Sequence, residues 1–583
     1  MMIKKLNNNK IKEYINKIIL ISFGVLSSIG IWYAFGSSNK ETVIFSVILT
    51  PILYLFFKDV KTKNLKDNKE NKKLKIMTLI FAFLLAMVII IGRQITDYQG
   101  IYIKNLSIYT FFAFLGLIIL LYNILKWGFN ILISKEITLI KYDLSIKIFF
   151  IIFLIILICW IPYLIAQYPA HVEFDAAKQI RMIRGEIPLA DAHPITHTML
   201  IKLCMNIAGG NLLLYSLIQM ISLALIFAFA CFWLLKKGLP KKYVYIIMLY
   251  FALNPLHGEY SVTITKDILF SGFMLLLTIV LMEIILSKGA ALKKLSWFSL
   301  FVFSIFTVGF FRNNGPLVLL ALFILMLISF KKYWKQILIP ALIFILVLAG
   351  VKGPLLSYLN IAPSPFTESV GIPLQQIARV IATGKEITPE QEEFIDSIIS
   401  IETIKKNYNP HVVDTIKSPI YGADFKHSVL ENNKAEFFEV WFSLLKKYPK
   451  TYIDAYLDNS YGFWFPLKKS FVSDWKNGYI ENAGFINETN DNAFSNALGK
   501  ITQEAWRLNV PSLCAYMTLF FAVIVLFKKK RLKACLPFAP VLLVWLSILI
   551  AAPIATSLRY VYCFFTTIPV LASYVFLDYS KAD

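Results

Sequence analysis

Long apolar runs separated by short lysine-rich loops set the pattern of this chain. A helix needs roughly 20 apolar residues to cross the hydrocarbon of a bilayer. On that measure fourteen segments predict membrane-spanning helices: 18–36, 42–57, 76–92, 106–125, 148–166, 211–235, 243–257, 268–286, 296–311, 316–330, 336–350, 512–527, 535–552 and 559–577. Between 351 and 510 the apolar runs give way to polar sequence too long for a connector. There ITPEQEEFIDSII (387–399) and NNKAEFFEVWFSLLKKYP (432–449) carry helix start and stop signals, and NSYGFWFPLKKS is an aromatic, Gly- and Asn-containing loop. The predicted fold is an all-α polytopic membrane protein of about 14 transmembrane helices, with a small, mainly helical extracytoplasmic domain. Its regions are an N-terminal membrane region of four spans (1–147), a membrane core (148–350), the extracytoplasmic domain (351–510) and a C-terminal membrane region (511–583).

Lysine orients these spans. With the basic N-terminus inside, every even-numbered span must return to a basic loop, and KDVKTKNLKDNKENKKLK (58–75), 126–147, KKGLPKK (236–242), the loop with Lys288, Lys293 and Lys294, KKYWK (331–335) and KKKRLK (528–533) all satisfy that parity. Both termini are then cytoplasmic, and the Lys, Ile and Asn richness of the chain hints at an AT-rich bacterial genome, hence a multi-pass protein of a bacterial cytoplasmic membrane. A formal charge of +23 with 57% hydrophobic residues and a mean hydropathy of +0.64 fits lysines facing anionic headgroups and argues against a nucleic-acid partner. All six cysteines lie in or beside apolar runs, so no disulfide framework is expected. The first run, ending in IWYAFGSS after a long basic stretch, reads as an uncleaved signal anchor.

Arginine runs opposite to lysine. Arg93, Arg181, Arg184, Arg312, Arg379, Arg507 and Arg559 fall on the exterior side of this topology, and Arg531 falls inside. A guanidinium binds phosphate through a planar fork and stays charged in half-buried places, so the set points to a lipid phosphate or pyrophosphate; pairing with local carboxylates is the plainer reading for any one of them. The densest chemistry lies in AQYPAHVEFDAAKQIRMIRGEIPLADAHPITHTMLIK (166–202), the first large exterior loop. Glu173 and Asp175 share a face only if the segment is extended. An acid at the mouth of a bilayer-facing cavity is partly desolvated, which would lift its pKa towards a value useful for deprotonating a hydroxyl. Alternatively Asp175 caps the following helix and Glu173 pairs with Lys178 or Arg181. His193 and His197, four apart, would share one helical face, and a divalent metal held by Asp175, His193 and a phosphate is possible, although no HExxH glutamate accompanies them. Lys266 and Asp267 in TKD, with His257 and Glu259 before them, Arg312 in RNNG, Gln375, Gln376 and Arg379 in PLQQIAR, and Arg559 and Tyr560 in RYVY lie at span ends on the same face.

The order YPAHVEFDAAKQ, HPITHTMLIKL, NP, TKD, RNNG, PLQQIAR and RYVY resembles a bacterial family of polytopic glycosyltransferase-like proteins related to the GT-C superfamily, over roughly 160–575. The resemblance implies a GT-C-like core that takes a sugar from a polyprenyl-phosphate donor to a cell-surface glycan acceptor on the outer face of the membrane. It places the essential acid at Asp175, with Glu173 beside it, and the donor phosphate on Arg379, with Lys266, Arg312 and Arg559 behind it. His193, His197, Gln375, Gln376 and Tyr560 would then support or bind the acceptor. Many relatives carry an adjacent Asp-Glu pair where this chain has Glu-Phe-Asp. A flippase of a lipid-linked substrate, or a non-catalytic binder of lipid-linked sugars in envelope assembly, would use the same arginines.

Overall fold

The computed structural model describes residues 2–36, 39–62, 69–98, 106–468, 475, 484, 492–551, 554 and 557–577. They form an all-α polytopic membrane protein whose only named strands among the described residues are two short ones. Nine helices among the described residues are long and apolar enough to cross a membrane, against the fourteen expected. The reasons for the difference are local. The run at 243–257 is cut where Asn254 and Pro255 end one helix and start the next, the Asn254 side chain accepting from the Leu256 amide. The run at 559–577 opens as a 3-10 turn and leaves a helix of 13 residues. Those at 296–311 and 316–330 form apolar helices of 17 and 15 residues, just under a full crossing. The segment at 42–57 forms a helix, Asn39–Thr62, that holds Pro51 and is not among the nine.

The chain divides into two compact units. The first comprises Met1–Glu136 and Lys450–Lys468. Its helices α1 (Met2–Phe35), α2 (Asn39–Thr62), α3 (Lys69–Tyr98) and α4 (Ile108–Ser134) pack through small residues. Ser27 donates to the Gly116 carbonyl at 3.3 Å, and Gly116 lies so close to α1 that a Cβ there would sit 1.7 Å from the Leu26 carbonyl oxygen. Membrane helices without a hydrophobic drive between them rely on such close backbone approach.

The second unit, Ile137–Pro449 and Lys469–Asp583, contains the chemistry. α5 (Ile146–Ala166) leads through β1 (His171–Val172) into the short α6 (Phe174–Ile183), then α7 (Ile195–Ile207), α8 (Leu213–Lys236) and α9 (Lys241–Leu253). α10 (Pro255–Val262) and β2 (Thr263–Ile264) precede α11 (Lys266–Leu286). α11 is apolar nearly all round and buried along its length, so it is the axis on which the unit packs. α12 (Leu295–Phe311), α13 (Gly315–Ser329) and α14 (Trp334–Gly350) follow. The helical segment after them holds α15 (Gly371–Ala382), α16 (Pro389–Ile398), α17 (Ile401–Asn407) and α18 (Lys434–Lys447). Thr388 caps α16 with Gln391 in a reciprocal box, as the Thr-Pro-Glu start predicts. α19 (Pro449–Ser460) continues the chain, and α20 (Ala493–Leu508), α21 (Pro511–Lys529), α22 (Ala539–Ala551) and α23 (Tyr562–Tyr574) complete it. The six cysteines are all free.

Candidate functional site

Two strands of two residues set the register of the site. β1 and β2 run parallel with His171 opposite Thr263 and Val172 opposite Ile264, so the chain emerges from both in the same direction. Three residues beyond Val172 comes Asp175, and two beyond Ile264 comes Lys266, the first residue of α11. Beneath them Val172, Ala176, Ile180, Ile201, Tyr215 and Ile264 form a buried cluster that fixes α6 against α7 and α8. The site therefore sits where α5 ends and α11 begins, at one end of two membrane-spanning helices.

Lys266 Nζ donates to Asp175 Oδ2 at 2.7 Å and lies 3.1 Å from Nδ1 of His193, which presents a lone pair there. Arg559 Nη1 stands 3.2 Å from the same Asp175 oxygen. One residue along α11, Asp267 takes Arg312, whose Nε is 3.2 Å from Oδ1, and Arg312 also donates to the Tyr560 carbonyl at 2.7 Å. The Tyr560 ring is close to both guanidiniums, 5.2 Å from that of Arg312 and 5.1 Å from that of Arg559. Segments 175, 193, 266, 312 and 559 thus meet in one cluster, in which Asp175, Asp267 and Arg312 are buried and His193, Lys266 and Arg559 partly exposed. Its ion pairs leave bonding capacity unused: Arg559 Nη1 and Asp267 Oδ1 are buried with no aligned hydrogen bond.

Burial would raise the Asp175 carboxyl, but the Arg559 guanidinium and the Lys266 ammonium beside it outweigh that and hold it well below the usual carboxylate range. This corrects the expectation that desolvation lifts it. His193 is lowered to about 4, by burial first and then by Lys266, and is neutral at pH 7. Glu173 is the N-cap residue of α6 but makes no side-chain cap bond, so neither acid caps that helix through its side chain. The hydrogen bond that tethers α7 comes from Asp191, whose Oδ1 accepts from the Ile195 amide at 3.0 Å while Oδ2 pairs with Lys352. Lys352 also reaches Asn313 Oδ1 at 3.5 Å, and Asn313 donates to the Ala192 carbonyl at 3.2 Å, so the loop carrying His193 is tied to the turn carrying Arg312.

His197 points elsewhere. Its Nδ1 meets Gln179 Oε1 at 2.9 Å and its Nε2 meets the Tyr215 hydroxyl at 2.8 Å, and Gln219 extends the network to the carbonyls of Tyr260, Ser261 and Thr263. With both ring nitrogens engaged it has no lone pair to offer a metal, and a pair of metal-binding histidines on one face is not formed. The position between Asp175 and His193 is held by the Lys266 ammonium. No group of three or more His, Cys, Asp or Glu suited to a metal occurs among the described residues.

The other sequence candidates divide. Arg93 pairs with Asp97, Arg181 with Glu186 at 3.1 Å and Arg507 with Glu504 at 2.5 Å, the local reading in each case. Arg379 is buried on α15, where Gln375 donates to the Asn409 carbonyl at 2.8 Å and Gln376 accepts from Trp441 at 2.8 Å. Among the described residues, the cations paired with Asp175 are Lys266 and Arg559. His257 meets the Tyr562 hydroxyl at 2.7 Å, and Glu259 accepts from the Trp506 indole of α20. Glu259 is pushed up to about 8, chiefly by burial. Sequence reasoning passed over Asp191, Lys352 and Trp506. Lys352 was signalled by its place among Gly350, Gly353 and Pro354 at a span end, where the helix widens into a π turn; nothing local marked Trp506.

A family model described as a family of unknown function (DUF6020) matches residues 184–582. That stretch carries His193, Lys266, Arg312 and Arg559 but begins beyond Glu173 and Asp175. No curated protein and no solved structure matches the chain.

Proposed function

The chain belongs to that family of unknown function, and from the cluster at Asp175 we propose that it is a membrane glycosyltransferase acting on a polyprenyl-phosphate-linked sugar. The observation that carries this reading is the convergence of Lys266, Arg559 and Arg312 on two carboxylates at the end of α11, with a buried Arg559 nitrogen lacking an aligned hydrogen bond. Such a site suits a phosphate, which takes charge-assisted bonds from ammonium and guanidinium together. It lies at the ends of membrane-spanning helices, where a lipid-borne phosphate resides, and the order of motifs is similar to that of GT-C-related proteins.

The chemistry follows from charge. A phosphate oxygen that takes bonds from Lys266 and Arg559 draws their field away from Asp175, so its basicity recovers when donor is bound. The acceptor hydroxyl then attacks the anomeric carbon while the bond from that carbon to the phosphate oxygen breaks. Its proton passes to Asp175, and the polyprenyl phosphate leaves with the electron pair, stabilised by the same cations. Attack opposite the leaving group inverts the sugar carbon. The acceptor is a cell-surface glycan or polymer, and the site faces the outside of the cytoplasmic membrane with both termini within.

An Asp175→Asn replacement in the chromosome tests the reading. The protein remains at wild-type level in the membrane, the surface glycan loses a sugar by mass spectrometry, and the lipid-linked sugar accumulates. Unchanged glycan in that strain contradicts catalysis. A non-catalytic binder leaves Asp175→Asn silent, and a flippase changes the side on which the lipid-linked sugar is found without changing its chemical fate.

A further inference from the structure

α20 is a helix of three faces. With about 100° of rotation per residue, Ser495, Gly499, Thr502 and Trp506 fall on one side and are buried against the protein. Asn496, Lys500, Gln503, Glu504 and Arg507 fall on a second. Phe494, Ala497, Ile501, Ala505 and Leu508 fall on a third, where Phe494 is 49%, Ile501 59% and Leu508 84% exposed. A helix on the surface of a soluble domain has an apolar face and a polar face. This one has an apolar face in addition to the one it uses for packing.

Both ends of α20 are fixed to ends of membrane-spanning helices. Near its start, Ser495 donates to the carbonyl of Ala166, the last residue of α5, at 3.3 Å, and Gly499 lies against Trp475, whose carbonyl accepts from Gln167 at 2.7 Å. At its other end only Asn509 and Val510 separate it from Pro511, the first residue of the spanning helix α21, a link of roughly 10 Å at most. A 16-residue helix of about 24 Å is thus tied near one end to the terminus of α5 and at the other to that of α21. Through Trp506 it also holds Glu259 on α10, two elements before Lys266.

We propose that α20 is an interfacial helix whose face of Phe494, Ala497, Ile501, Ala505 and Leu508 is seated in the headgroup and acyl boundary of the membrane surface at which the Asp175 cluster lies. An apolar face of this kind sinks about 5–10 Å into the boundary region. Lys500, on the polar face, has a stem long enough to bring its charge among lipid phosphates, while Arg507 is paired with Glu504 on the same face. The occupant is lipid because the covalent link to α21 and the contact with α5 keep the stripe at the level where lipid is the neighbour.

The full-length protein, with the partly exposed Cys159 and Cys535 replaced by alanine, is reconstituted into vesicles of phosphatidylethanolamine and phosphatidylglycerol. Single nitroxide labels are placed at Ile501→Cys, Leu508→Cys, Lys500→Cys and Glu504→Cys. Collision rates with oxygen, which concentrates in acyl chains, are compared with those for a water-soluble nickel chelate. The expected result is an oxygen-to-nickel ratio severalfold higher at 501 and 508 than at 500 and 504. Nickel-dominated collision at 501 and 508 places the stripe in water and overturns the proposal. Labels there that neither reagent reaches place it under protein, a second copy or a partner, and overturn it equally. The readout involves neither Asp175 nor turnover, so it stands or falls apart from the proposed activity.

Discussion

At Asp175 two opposing effects act on one carboxyl, and their balance decides what the residue can do. Burial favours the neutral acid, while Arg559 and Lys266 favour the anion and win. His193 shows the complementary case, a neutral imidazole accepting from the ammonium that Asp175 also binds. Its value of about 4 lies below the ordinary 6.5, so between those limits the unfolded chain takes up a proton that the native one refuses. Stability from this group is therefore full above about pH 6.5 and is lost as the pH falls towards 4. At pH 5 the loss is roughly 2 kcal/mol. Thermal midpoints in detergent at pH 7.5 and pH 5 check it. The drop shrinks in His193→Gln, and an equal drop in that variant and the wild type contradicts the assignment. Much of this site was legible in residue types: a carboxylate, a lysine and arginines at span ends predict a charged cluster wherever they meet. The Asp175 shift was not legible, since its sign depends on how near Lys266 and Arg559 come across 91 and 384 residues of chain.

Among the elements, the paired strands and helix breaks do the positioning. Two residues each of β1 and β2 bring Asp175 and Lys266 together, and so short a pairing carries no periodicity that a sequence can display. The Asn254–Pro255 break is written in the chain, but the apolar residues around it give 243–257 the hydropathy of a single span. Gln375 and Gln376, on the helix that also bears Arg379, are hydrogen-bonded into the segment that holds Asn409 and Trp441, contacts that no local pattern in PLQQIAR displays. In the N-terminal unit, Gly116 makes a very close helix contact, with a Cβ position 1.7 Å from the Leu26 carbonyl oxygen. Gly116→Ala must push α1 from α4 and destabilises that packing by about 1–3 kcal/mol. Hydrogen exchange then quickens in α1 and α4 and stays unchanged in α6 and α11. Unaltered exchange in α1 and α4 counts against this contact.

For the molecule as a whole, a polytopic helical membrane protein followed directly from run length and hydropathy, because the bilayer demands long helices with internally satisfied backbones. The number of full-length spans did not, since 15- and 17-residue apolar helices fill places beside longer ones. What makes the fold a candidate enzyme is that the fully buried α11 presents Lys266 and Asp267 at one end, where Asp175, Arg312 and Arg559 arrive from distant segments. The central claim is that this cluster holds a lipid-borne phosphate, and native mass spectrometry of the full-length protein released from mild detergent tests it most directly. Each charge-assisted bond contributes about 1.5–3 kcal/mol, so wild-type protein retains an anionic polyprenyl phosphate that Lys266→Gln or Arg559→Gln holds about ten- to a hundredfold more weakly. Equal retention of that lipid by the wild type and both variants would contradict the account.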